Sequence, residues 1–149
     1  MMTIGNDIFF AQVEELIAEG RDVVIRVKGH SMRPFMRSDR TSVRLSPCYA
    51  QRLQKGDIVL FRHHGHHVMH RITARDGERL TLAGDGNYRK VEHCTTADVV
   101  AMVSCIIDSK GRSTECGSRR WRTVSAIWTA TPPLIRRCIL GAMWRLGIR

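Results

Sequence analysis

The chain has 149 residues, 43% of them apolar, with 24 Lys and Arg against 14 Asp and Glu for a formal net charge of +10. That length and composition suit one globular domain with one good core and exclude a low-complexity or fibrous chain. The charge is uneven: residues 1–108 carry 15 basic and 13 acidic side chains, whereas 109–149 carry nine basic ones and only Glu115, a near-neutral body with a basic tail suited to an acidic partner.

In chain order, residues 7–19 read as a helix. Asp7 is placed to cap its start, Ile8, Phe9, Val13, Leu16 and Ile17 recur at helical spacing, and Gly20 ends it. Residues 22–28 are β-branched and read as a strand. It exits into Gly29-His30-Ser31-Met32-Arg33-Pro34, a φ-restricted turn able to lift a hydroxyl into a cleft. Short strands are expected over 41–45 and 58–62, the second entered through the Gly56-Asp57 turn. His63-His64-Gly65-His66-His67 offers four imidazoles, but a polar hairpin turn on Gly65 is preferred to a metal site because no Cys or carboxylate stands there to complete a ligand set. Strands over 68–74 and 79–83 flank Asp76-Gly77, expected as a type I′ pair. Gly84-Asp85-Gly86-Asn87 follows, and a central apolar strand spans 98–107.

Residues 109–118 are polar and read as a linker. Beyond it lie two helical pieces divided by Pro132-Pro133, and the tail holds all three Trp. In the second piece Leu134, Ile135, Cys138, Ile139, Ala142, Met143 and Leu146 share a face. The five Cys are dispersed and form no C-x-x-C pair, which points to a reducing compartment. The acidic residues near the start argue against a signal peptide, and no run reaches the ~18 apolar residues of a membrane span.

The stretches G-x-S-M-x-P at 29–34, G-D-I-V-x-F at 56–61, V-x-H-R-I at 68–72 and G-D-x-N at 84–87 together resemble the signal peptidase I family and the wider clan of serine peptidases that includes self-cleaving repressors. The resemblance covers about residues 21–105. It implies a mainly β fold of signal peptidase and repressor type, here with an N-terminal helix and a C-terminal helical tail over 109–149. It implies Ser31 as nucleophile, His70 as general base where many bacterial members carry Lys, and the Ser31 backbone N–H as oxyanion donor. Gly29 supplies no hydroxyl, so a second donor is unidentified. Asp85 matches the family's acid and is preferred as third member, since a short carboxylate on a Gly-flanked turn is easily fixed; Glu92 is the alternative.

The expected activity is therefore serine endopeptidase cleavage of a signal or leader peptide, with no cofactor and no metal. A self-cleaving repressor ranks lower because only 30 residues precede Ser31 and the base is not Lys. A non-enzymatic binding module is the third reading. The expected partners are a substrate with a leader segment and, through the apolar face and arginines of 133–148, an anionic membrane surface; no nucleic-acid partner is expected. The expected location is cytoplasmic or peripheral at the cytoplasmic membrane.

Overall fold

The structure, a computed structural model, describes residues 4–147, without the side chains of 4–7 and 88. It is a mainly antiparallel β fold preceded by helix α1 (Ile4–Ala18) and followed by α2 (Arg119–Ala130) and α3 (Pro133–Arg145). The strands are β1 (Val23–Arg26), β2 (Ser42–Ser46), β3 (Ile58–His63), β4 (His66–Asp76), β5 (Arg79–Gly84), β6 (Asn87–Thr95), β7 (Val99–Ile107) and β8 (Ser113–Glu115). They form one sheet in the order β1-β2-β7-β3-β4-β5-β6, with β8 also paired to β7.

The period-two alternation of a strand builds two cores on opposite faces of this sheet. Along β3, Ile58 and Leu60 join Val13, Ile17, Val43, Leu45, Val103 and Trp121 on one face. Val59 and Phe61 join Ile72, Leu80 and Leu82 on the other. This central strand is buried on both sides, which is why it reads as an unbroken apolar run.

Helix α1 ends in a Schellman motif, with Gly20 N–H on the Ile17 carbonyl, Arg21 N–H on the Leu16 carbonyl and Gly20 at φ +83°. It begins at Ile4, so Asp7 lies inside the helix rather than capping it. Its buried stripe also differs from the one expected: Val13 and Ile17 are buried and Phe10 packs beside them, while Ile8 and Phe9 face out. Phe10 turns inward because its ring stacks on His67 at 4.7 Å.

The histidine-rich stretch is a hairpin turn with His64 (φ +49°) and Gly65 (φ +77°) at its centre; two positive φ values match the twist of the flanking strands. The next hairpin is shifted by one residue from expectation. Asp76 pairs with Arg79, so the loop is Gly77-Glu78 with a positive φ at Gly77 alone, as in type II′ turns.

Three further features depart from the expected layout. Residues 87–95, where no strand was expected, form edge strand β6. The expected linker contains β8, which pairs with β7 through Cys105↔Glu115. The first tail helix belongs to the domain: Ser118 caps α2, and Trp121, Ser125 and Trp128 are buried against the body. Helix α3 remains largely outside, with Leu134, Ile135 and Ile139 exposed, as is Leu146 just past its end. Ile148 and Arg149, which complete the expected tail face and its charge, lie outside the described residues. Among the described residues no helix is long and apolar enough to cross a membrane.

Candidate active site

Ser31 sits in the loop between β1 and β2. Buried Met32 and Met36 pin this loop into the first core, and Met36 N–H closes a helical turn on the Met32 carbonyl. Gly29 opens the loop at φ +92°, a conformation that suits a residue without Cβ. Its N–H donates to the Ser38 hydroxyl at 3.0 Å.

The turn from β5 to β6 closes over this loop. Gly86 N–H donates to the Ser31 carbonyl at 2.8 Å. The two glycines of the turn make the approach possible. A Cβ at Gly84 would lie 2.3 Å from the Ser31 carbonyl oxygen, and one at Gly86 would lie 2.8 Å from the His30 carbonyl oxygen. The G-D-G-N stretch is therefore a backbone seat for the serine loop.

The same Gly84 position locates His70. Its missing Cβ would stand 3.0 Å from Ser31 Cβ and 3.1 Å from His70 Nε2, so the serine and the imidazole converge on one empty point. The other ring nitrogen, Nδ1, is 2.9 Å from Glu92 Oε2, and both residues are 6% exposed. A carboxylate only accepts, so Nδ1 is the donor of this pair, and Nε2 is the ring nitrogen left on the Ser31 side.

Register explains how Glu92 arrives there. Ile72 pairs with Leu82 and Leu82 with Glu92. Cross-strand partners project on the same face, and His70 is two residues before Ile72. His70 and Glu92 thus share the face of the second core, where Phe61 lies 6.4 Å from the imidazole.

Asp85, the preferred third member, is engaged elsewhere. It takes a bidentate ion pair from Arg71, both bonds 2.7 Å, with Arg71 fully buried and Asp85 4% exposed. Arg71 neighbours His70 in sequence, so its side chain leaves the strand on the opposite face. There it also donates to the Gly56 carbonyl at 2.9 Å and lies over the rings of Phe35 and Trp121. Trp128 Nε1 donates to the Asp85 carbonyl. The acid of the G-D-x-N stretch thereby ties the serine loop, the Gly56 turn and α2 together, and Glu92 rather than Asp85 stands beside the histidine. Arg71 was not expected in this role, although its place next to His70 in V-x-H-R-I predicts a side chain on the other face.

Other candidate groups lie outside this cluster. Burial pushes the Cys94 thiol up to about 11 and Cys116 up to about 12, so neither is a thiolate at neutral pH. Burial also raises the Asp57 carboxyl, against the lowering effects of the Gln54 N–H and of Arg122 and Arg71. In the histidine hairpin, His67 Nε2 lies 3.3 Å from Glu14. Among the described residues no group of three or more His, Cys, Asp or Glu is arranged to hold a metal ion.

No protein-family model matches the sequence, and no curated protein matches it.

Proposed function

We propose that the protein is a serine endopeptidase of the signal peptidase I-like kind, with Ser31 as nucleophile, His70 as general base and Glu92 as the acid that orients it. The observation that carries this reading is the His70 side chain held at Nδ1 by buried Glu92 while Nε2 turns to the point shared with Ser31. A hydroxyl is a weak nucleophile until a neighbouring base takes its proton. In the proposed cycle Nε2 takes the Ser31 proton as Oγ attacks a peptide carbonyl. The Ser31 backbone N–H stabilises the oxyanion, and the imidazolium then protonates the leaving amine. Water repeats the sequence to release the acyl-enzyme.

The substrate class is a peptide or protein with a signal or leader segment, following the resemblance of the four motifs. Exposed apolar residues on α3, beside Arg137 and Arg145, favour work at an anionic membrane surface. The test is a set of leader peptides incubated with the full chain and read by mass spectrometry. A defined cut made by the wild type and lost in Ser31→Ala is the expected result. Cleavage that persists undiminished in Ser31→Ala would end the proposal.

A further inference from the structure

We infer that the protein carries a phosphate-binding pocket between the Ser31 loop and α3, formed by Arg33, Arg89, Arg137 and Arg145. The cavity is about 500 Å³ and is bordered also by Gly86 and Trp144. Four arginines from three separate parts of the chain line it, and among the described residues no carboxylate does. Like charges gathered without a counter-charge repel one another, so the arrangement favours an anion between them.

Arg33 makes the case specific. Its Nε and Nη1 are buried and have no hydrogen-bond acceptor among the described residues. Buried donors left unpaired are costly and uncommon in a folded protein. The guanidinium carbon lies over the Trp144 ring, 5.1 Å from its centroid, a cation–π contact that uses none of its donors. A planar fork of N–H groups matches the oxygens of a phosphate better than a point charge does.

The ligand class is a phosphate ester or phosphate itself, and two sources share that chemistry. An anionic phospholipid would seat its phosphate in the pocket and lay an acyl chain along the adjoining groove of about 690 Å³. That groove includes Leu134, Ala142 and Leu146 and shares Arg137 and Arg145 with the pocket. A free phosphate compound would use the pocket alone. Neither source depends on the peptidase reading, because the test reads binding rather than cleavage.

Inorganic phosphate is titrated into the full chain by calorimetry and thermal melting, with sodium chloride matching ionic strength. Co-sedimentation with phosphatidylglycerol and with phosphatidylcholine vesicles runs beside it. Phosphate is expected to bind and to raise the melting temperature. The exposed pair Arg89→Gln and Arg145→Gln is expected to weaken that binding about tenfold while melting alone at the wild-type temperature. Phosphatidylglycerol binding that phosphate competes away, and that the double variant loses, identifies the lipid source. Phosphate binding with equal, negligible sedimentation by both vesicles identifies the free source. Absence of phosphate binding, unchanged affinity in the double variant, or vesicle binding indifferent to both phosphate and the variant would overturn the site.

Discussion

Two neighbouring residues on β4 divide the molecule into two polar regions. His70 faces one side of the sheet and meets Glu92; Arg71 faces the other and meets Asp85. Both acids are buried and both bonds are short, yet their consequences differ. The Arg71–Asp85 pair is closed: its fork is matched, a carbonyl takes a further N–H, and aromatic rings cover it. Nothing in it is left to react, and it fixes where the serine loop and α2 sit. The His70–Glu92 pair is open at one atom, Nε2, which stands 3.1 Å from the point a Gly84 Cβ would occupy, with Ser31 Cβ 3.0 Å from the same point. A buried polar pair becomes chemistry when one of its atoms remains available to a ligand, and scaffold when none does.

The largest expected effect is on the open side. Ser31→Ala should lower the cleavage rate by several powers of ten with melting close to wild type, and His70→Ala should lower it as far while also losing stability, because it strands the buried Glu92 carboxylate. Retained activity in either variant, while folded, would move the reaction elsewhere. On the closed side, Asp85→Ala should cost about 3–5 kcal/mol of stability, because it strands a buried guanidinium. A denaturant melt that shifts little would show that Arg71 finds another partner.

Between the two sides stands Gly84. Gly84→Ala places a methyl into the Ser31 carbonyl and forces the loop away from His70. A misplacement of that size should slow cleavage about 10²-fold, and wild-type kinetics in this variant would contradict the shared point of convergence. The smallest effect belongs to Asp57, whose folded pKa is raised by burial. A raised acid in the folded state binds protons more readily than in the unfolded chain, so its charge costs stability above the folded pKa and that cost fades as pH falls through it. Asp57→Asn keeps an acceptor for the Gln54 N–H and should melt slightly higher at neutral pH, with the gain shrinking on acidification. A melting temperature lowered at neutral pH would mean that Arg122 outweighs the burial.

Much of this architecture is legible in the sequence because the signals are local. β-branched runs give β1, β3, β4 and β7, and the glycines mark the turns. Prolines at 132 and 133 divide α2 from α3. Strand β6 escaped because its alternation is inverted: exposed Val91 and His93 flank buried Glu92, so no apolar face announces it. The charge of Arg89, Lys90 and Glu92 suggests a loop, whereas charged side chains also protect the exposed edge of a sheet. The choice between Asp85 and Glu92 rests on register across three strands, which spacing along one chain does not contain. Once Ile72, Leu82 and Glu92 are aligned, the one-residue alternation of His70 and Arg71 assigns each acid to its base. Burial of Trp121 and Trp128 was equally hidden, since an amphipathic helix reads the same whether a sheet or a lipid surface covers it.

The comparison of the two acids is tested most directly by a fluorophosphonate probe, which reacts with an activated serine and needs no known substrate. The labelling rate at Ser31 is measured by intact mass in the wild type, in Glu92→Gln and in Asp85→Asn, each checked for a folded melt. Glu92→Gln is predicted to slow labelling about 10³-fold or more, as loss of the carboxylate that sets the imidazole tautomer does in triads of this kind. Asp85→Asn is predicted to label within a few-fold of wild type wherever it remains folded. Wild-type labelling in Glu92→Gln together with collapse in folded Asp85→Asn would contradict the assignment.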